Sequence, residues 1–208
     1  MVLRPAARLL LIEGEALQIV LETLSRDDYD FSTVCEGWSV RDVLAHCGAA
    51  LTRTASDDLH RFRPEDNQAD VDERRSWDLD AVIEELFKGY EDAADAIEEA
   101  DGKLDGIGLG EWIHGGDVRD AIGAPEPYTS DGAYLARNLL LERSRSMGKP
   151  PLLAMIDHEE YAFGSGEAEP GVLDTNLETF VRLCGGRKPN PADFTLDGYD
   201  ESEMILFS

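Results

Sequence analysis

The sequence is poor in positive charge. Only 19 of its 208 residues are lysine or arginine, against 44 aspartates and glutamates, so the formal net charge is −25. Lysine is scarcest, with 4 residues against 15 arginines. Such a surface repels phosphate backbones and anionic lipid headgroups. The densest basic stretches are only pairs, Arg74-Arg75 and Arg187-Lys188. We therefore expect neither nucleic acid nor a membrane as partner.

Long apolar runs and paired cysteines are also lacking. No stretch approaches the roughly 18 apolar residues of a membrane span, and the first residues carry no small-residue cleavage site of a signal peptide. Cys35, Cys47 and Cys184 are odd in number and without C-x-x-C spacing, so a disulfide framework is not expected. These features predict a cytoplasmic protein.

The acidity itself has two simple explanations, a salt-rich cytoplasm and a GC-rich genome. Both concern the environment of the protein rather than its activity.

What is present is helical periodicity. Hydrophobic residues make up 42% of the chain, enough for a packed core. Apolar spacings of three and four predict five helices, at residues 6–25, 39–60, 78–100, 111–122 and 131–147. Ser39 and Asp42 form a capping box at the second helix. We expect the polar segment 61–76 to be a long connection, and Gly106, Gly108 and Gly110 to be a flexible lead into the fourth helix.

The pattern changes after residue 148. Short β-rich segments bounded by turn residues predict strands, at 152–157, 161–164, 194–196 and 204–207, with a helix at 175–184 ended by Gly185-Gly186. The prediction is a mainly α protein: an antiparallel helical bundle over residues 1–148 and a small α+β domain over 149–208.

A candidate metal site follows from the few histidines. Glu111 and His114 are three residues apart, so on a helix they share one face, and a Glu-x-x-His pair facing a bundle core is a metal-ligand arrangement. A catalytic site usually needs a third ligand, and His46, on the apolar part of the second helix, is the natural choice. His60 lies about 21 Å from His46 along a continuous helix and is excluded. His158 falls in a predicted turn and is a weak candidate.

Each of these residues also has an ordinary structural interpretation. A single histidine near a core is more often simply hydrogen-bonded there, and a Glu-x-x-His pair often lies on a helix surface. Asp117 either hydrogen-bonds a ring nitrogen of His114 that does not bind the metal, and so orients the imidazole, or it pairs with Arg119 or Arg41. Cys47 is expected to behave as a small buried hydrophobe. A dinucleotide fingerprint is excluded because position 111 is Glu, and a di-metal centre because there is no second Glu-x-x-His.

Two segments carry a family resemblance. Residues 35–46, CEGWSVRDVLAH, resemble the C-x-G-W-[ST]-V-R-D-x-x-A-H signature of DinB-like, mycothiol-dependent maleylpyruvate isomerase family proteins. Residues 111–123, EWIHGGDVRDAIG, are similar to that family's second metal segment. Many members place the glutamate four residues before the histidine rather than three; both intervals keep one helix face. The resemblance continues more loosely beyond residue 150.

The resemblance implies a DinB-type four-helix bundle holding one divalent metal, commonly zinc with nickel or iron as alternatives, through His46, Glu111 and His114. The open coordination position would take a low-molecular-weight thiol, mycothiol or an equivalent, whose thiolate adds to an electrophile. Arg187 is a candidate carboxylate anchor for thiol or substrate, or simply a surface arginine after a helix end.

Three hypotheses remain from the sequence. The first is a thiol-dependent isomerase or S-transferase acting on a small electrophile. The second is a non-catalytic binding or regulatory module with a structural or sensory metal, and the third is a helical bundle whose histidines are merely buried. Monomer and homodimer are both compatible with the sequence. The charge of −25 favours a cation in a cleft and disfavours a dicarboxylate substrate unless the metal and a few arginines reverse the local field.

Overall fold

The structure, a computed structural model, describes residues 3–59 and 64–207 and is mainly helical with a small C-terminal sheet. The chain divides into two compact units, residues 1–127 and 128–208. In its described residues the first unit contains five α-helices: α1 (Pro5–Leu21), α2 (Val40–Ala55), α3 (Pro64–Arg74), α4 (Leu79–Glu99) and α5 (Asp105–Ala121). In the described part of the chain, no helix is both long and apolar enough to cross a membrane.

The long helices of the first unit begin and pack as their sequences direct. The predicted capping box is confirmed: the Ser39 hydroxyl accepts from the Asp42 amide, and the Asp42 carboxylate accepts from the Ser39 amide. The apolar faces of α1, α2, α4 and α5 then pack against one another, most extensively α2 with α4 and α1 with α5. Fully buried leucines such as Leu44 and Leu51 each contribute about 1.5–3 kcal/mol to this core.

Two helix ends differ from the prediction. α1 ends at Leu21 rather than residue 25, and Ser25 caps a short 3-10 turn, Arg26–Asp30. α2 ends at Ala55, where Asp57 adopts a left-handed conformation with φ 57°. His60, the predicted end of that helix, lies outside the described residues.

The expected long connection at 61–76 is wrong, because α3 occupies most of it. Pro64 stands at its first position and Arg74 in its last turn, which suit a helix start and the helix dipole. Apolar periodicity missed α3 because the helix is held mainly by ion pairs. Asp70 pairs with Arg53 of α2, and Arg74 donates to both Glu85 oxygens on α4.

The expected flexible lead at Gly106, Gly108 and Gly110 is also wrong, since all three lie within α5. At Gly108, and at Gly115 further along α5, the absence of a side chain serves packing rather than flexibility. A Cβ on Gly108 would come within 2.5 Å of the Ala6 backbone oxygen, and one on Gly115 within 1.7 Å of Glu13 Oε1. The two glycines are seven residues apart and therefore share the face that meets α1.

The second unit is a four-stranded sheet with helices. Its elements are α6 (Ala133–Ser146), β1 (Leu152–Ile156), β2 (Glu159–Phe163), β3 (Gly171–Thr175), α7 (Leu177–Gly185), β4 (Phe194–Asp197) and α8 (Glu201–Met204). The strand order is β2-β1-β3-β4, with β1 and β3 parallel and both edge pairs antiparallel. Asp157 and His158, with φ of 50° and 71°, form the two-residue turn between β1 and β2.

The secondary structure of the second unit differs from the prediction in two places. β3 was not predicted, and the strand expected at 204–207 is wrong, because Asp200 and Glu203 form a capping box that starts α8. The helix predicted at 131–147, α6, packs against β2 and α7. It therefore groups with the C-terminal compact unit, residues 128–208, while the domain boundary expected at residue 149 stays a prediction.

Candidate metal centre

The loop before α2 and the first turns of α2 form one wall of the site. Trp38 ends the loop, its indole N–H donates to Gln68 Oε1 at 2.9 Å, and its ring lies 5.0 Å from the His46 ring. The capping box at Ser39 begins α2 directly after Trp38. His46, two turns into the helix, is thereby directed into the core.

His46 is buried, and one of its two ring nitrogens has no hydrogen-bond partner. Its side chain is only 8% exposed, and its Nδ1 has no hydrogen-bond partner. Burial lowers the pKa of His46 well below its usual range, and the charges of His114 and Arg53 act in the same direction. The imidazole is therefore neutral at physiological pH, which is the form that binds metals.

Glu111 on α5 is a second buried donor. It is 3% exposed, and its Oε2 has no hydrogen-bond partner, while its carboxylate accepts from the Cys47 thiol. Burial raises the pKa of Glu111 to about 8; the Cys47 hydrogen bond and Arg53 oppose this rise, and Glu13 adds to it. A buried carboxylate that is not fully hydrogen-bonded is costly in a metal-free protein.

His114 lies one turn after Glu111 on α5, and Asp117 orients its imidazole ring. Its Nδ1 is 2.9 Å from Asp117 Oδ2, and Asp117 is fully buried. The second group on this carboxylate is Cys35, whose thiol donates to the same Oδ2 at 3.3 Å and lies 3.9 Å from His114 Nδ1. Of the two roles weighed for Asp117, the structure shows the contact with His114.

The floor of the site is a buried ion pair between α1 and α5. Glu13 is fully buried and accepts from two Arg119 nitrogens, at 2.8 and 3.2 Å. Burial raises the pKa of Glu13 to about 7 even though Arg119 opposes the rise. Burial also raises the pKa of Tyr90 well above its usual range, with the charges of Glu13 and Glu111 adding to the effect. The floor of the site is thus out of reach of water.

The structure brings the predicted ligands together only in part. The rings of His46 and His114 meet edge to face, with centroids 5.1 Å apart. Among residues 3–59 and 64–207, however, the group of three or more metal-ligating side chains whose donor atoms all lie within 4.8 Å is Cys35, His114 and Asp117. His46 and Glu111 are not in it. Sequence reasoning gave Cys35 no role, although it opens the signature segment.

His158, His60 and Arg187 are the other residues that the sequence offered as candidates. His158 is exposed in the β1–β2 turn, as expected, and His60 lies outside the described residues. Arg187 follows the end of α7, where Gly186 adopts a left-handed φ of 70°, and its guanidinium donates to the Gly185 carbonyl. Its role as a carboxylate anchor stays a prediction.

These features define a helical protein with histidine and carboxylate side chains converging between two core helices. Residues 10–119, just over half of the chain, match the family model of the mycothiol maleylpyruvate isomerase N-terminal domain. The chain therefore belongs to the mycothiol maleylpyruvate isomerase N-terminal domain family, which confirms the resemblance found in its motifs.

Solved structures agree on the fold. The crystal structure of the mycothiol-dependent maleylpyruvate isomerase matches with a TM-score of 0.59 at 15% identity, covering 94% of both chains. A histidine-to-alanine mutant of that enzyme matches with the same TM-score and coverage at 14% identity. At this identity the likeness concerns the fold alone. Among curated protein sequences, none matches this chain significantly.

Proposed function

We propose that the protein is a divalent-metal-binding, thiol-dependent isomerase or S-transferase that acts on a small electrophilic substrate. The observation that carries this proposal is the pair of buried, unsatisfied donors, His46 Nδ1 and Glu111 Oε2, beside the His46–His114 ring contact. Family membership adds the reaction class, since the family takes its name from a mycothiol-dependent isomerase. The proposed four-helix bundle consists of α1, α2, α4 and α5.

The donor set fits the metal that the family implies. His46 is neutral, Glu111 is a carboxyl group, and His114 retains its Nε2 when Nδ1 is bonded to Asp117. Imidazole and carboxylate together suit zinc, and also nickel or iron. Two buried donors without hydrogen-bond partners are costly unless another group satisfies them. The proposed ligands are therefore His46, Glu111 and His114.

When bound, the metal would lower the pKa of a coordinated thiol and so provide a nucleophile at neutral pH. The residues of the chain provide orientation and a dry environment. Asp117 fixes the His114 tautomer by accepting from Nδ1–H, and Trp38 packs beside His46 and restricts the motion of its ring. Glu13 and Arg119 close the floor of the site. When both are ionised, their charges cancel.

The substrate class follows from thiol chemistry. A thiolate adds to a conjugated C=C bond, the S–C bond forms, and the former double bond becomes free to rotate. Elimination of the thiolate restores the double bond in the other geometry, so the thiol is not consumed. In an S-transferase the S–C bond would be kept. Because the chain carries a net charge of −25, a substrate with fewer carboxylates than maleylpyruvate suits it better.

Metal analysis of purified protein tests the ligand set. We expect stoichiometric metal in the wild type and at least about tenfold weaker binding in His46→Ala. His158→Asn is the matched control, because His158 is exposed at a positive φ that asparagine tolerates, and it should keep its metal. Unchanged metal content in His46→Ala would contradict the proposed site.

A second measurement tests turnover. Conversion of maleylpyruvate, and of a monocarboxylate analogue, is followed by absorbance with mycothiol, with another low-molecular-weight thiol and without thiol. We expect conversion that depends on both thiol and metal and that is lost in His46→Ala. Metal binding without any thiol-dependent conversion would instead identify a non-catalytic metal-binding module.

A further inference from the structure

The signature segment contacts α3 as well as the candidate metal centre. The Trp38 indole N–H donates to Gln68 Oε1 on α3 at 2.9 Å, while the Trp38 ring lies 5.0 Å from the His46 ring. The Arg41 guanidinium donates to the carbonyl of Arg74, the last residue of α3, at 3.3 Å. Trp38 therefore connects α3 to the buried His46, and Arg41 holds the end of the helix.

A third contact joins α3 to the face of α2 that carries His46. Arg53 follows His46 by seven residues, about two helical turns, so the two side chains share one face. Arg53 pairs with Asp70 of α3, and both side chains are buried. α3 therefore meets the chain on both sides of His46, at Trp38 before it and at Arg53 after it.

α3 is attached by polar contacts rather than by apolar packing. Among its residues 65–74, Val71 is the one buried apolar side chain, and the other buried side chains are Asp70 and Arg74. α4, by contrast, buries apolar side chains along its whole length. Hydrating an apolar face is costly, whereas the two partners of a separated ion pair regain the hydration that burial removed. We therefore expect α3 to separate from the bundle at a much smaller cost in free energy than α4.

We propose that α3 is a movable cover of the candidate metal centre, which separates from α2 and α4 as one helix and thereby opens the side of the centre at His46. The movement breaks the Gln68 hydrogen bond and so releases Trp38 from its position beside His46. Elements that open and close over a site admit its ligands and then exclude water. That these ligands are a thiol and an electrophile rests on the proposed function, whereas the movement itself does not.

Hydrogen–deuterium exchange of the full-length, metal-free protein, read by mass spectrometry, tests the movement. We expect the backbone amides of residues 68–74 in α3 to exchange at least about tenfold faster than those in the middle of α4. Asp70→Asn removes the charged partner of Arg53. It should speed exchange in α3 by at least a further factor of about ten and leave α4 unchanged. Glu73→Gln is the matched control, because its exposed carboxylate pairs with Arg74 within α3, and it should exchange as the wild type does.

Chemical modification of His46 tests whether α3 covers the centre. Diethyl pyrocarbonate acylates neutral imidazole, and His46 is neutral and only 8% exposed. We expect Asp70→Asn to speed acylation of His46 at least about tenfold, while acylation of the exposed His158 in the same sample stays unchanged. Gln68→Leu removes only the hydrogen bond to Trp38 and should speed acylation of His46 about two- to tenfold. Circular dichroism checks that each variant is folded.

The outcomes separate this proposal from the proposed function. Amides of α3 that exchange as slowly as those of α4 overturn the cover, and so does faster exchange of α3 in a folded variant without faster acylation of His46. Either result leaves metal binding and turnover, which are measured separately, intact. If α3 opens as expected and the protein converts no substrate with thiol, the cover is supported and the proposed enzyme is contradicted.

Discussion

The two compact units differ in what they bury. In the described part of residues 1–127, the buried polar side chains are nearly all ionisable: Glu13, His46, Arg53, Asp70, Arg74, Glu111, Asp117 and Arg119. In the described part of residues 128–208 they are the hydroxyls of Ser144, Thr175 and Thr179. Burying a charge costs far more than burying a hydroxyl. The first unit bears this cost at its candidate metal centre and at the ion pairs that hold α3, and the second is built as an ordinary core.

The comparison is sharpest at Arg119. Arg119→Met leaves the fully buried Glu13 without its charged partner, and we expect a loss of about 3–5 kcal/mol in the free energy of unfolding at pH 8. Ser144→Ala is the counterpart in the second unit. It removes an oxygen that accepts from the Gly164 amide at 2.8 Å, and we expect a loss of about 1–2 kcal/mol. Urea denaturation measures both; equal losses would remove the distinction between the units.

A smaller effect is expected from the pH dependence of Glu13. Its pKa is raised from 4.5 to about 7 in the folded state, mainly by burial, so the folded protein retains a proton that the unfolded chain releases. Between pH 4.5 and about 7 the free energy of unfolding of the metal-free protein should therefore fall as the pH rises. Glu13→Gln should reduce this slope without abolishing it, because the pKa of Glu111, raised to about 8 by burial, contributes a slope of the same sign. An equally steep slope in the variant would show that Glu13 does not titrate in this range.

The smallest effect concerns helix caps, for which the units should behave alike. Ser39 caps α2 in the first unit, and Asn176 caps α7 in the second by accepting from the Thr179 amide at 2.8 Å. Ser39→Ala and Asn176→Ala should each cost about 1 kcal/mol. Thermal melting with matched buffers measures the two losses. A much larger loss for Ser39→Ala would show that this cap also supports the loop carrying Cys35 and Trp38.

The sequence predicted best what depends on local chemistry. The helices at 78–100 and 131–147, the capping box at Ser39 and the strand at 194–196 all follow from periodicity and capping residues, and the structure confirms them. The family was also identified from two short motifs. Each of these signals lies within one continuous segment of the chain, so no knowledge of distant contacts was required.

The failures share a physical cause, which is stabilisation by partners distant in the sequence. α3 lacks an apolar stripe and is secured by ion pairs to α2 and α4. The glycines at the start of α5 resemble a flexible segment until α1 is seen to pack on Gly108 and Gly115. α6 groups with the C-terminal compact unit because it packs against β2 and α7, contacts that no local pattern predicts.

The candidate site also combines features that local sequence predicts with features that depend on distant contacts. The sequence by itself determined the acidic charge and most of the helices and led to the proposal of His46, Glu111 and His114 as ligands, because composition, periodicity and spacing are local properties. Only the tertiary structure decided that Asp117 bonds to His114 and that Cys35 joins them. Cys35 and His114 are 79 residues apart, and no sequence period relates a loop before one helix to the face of another. Packing of α2 against α5 is what brings them together.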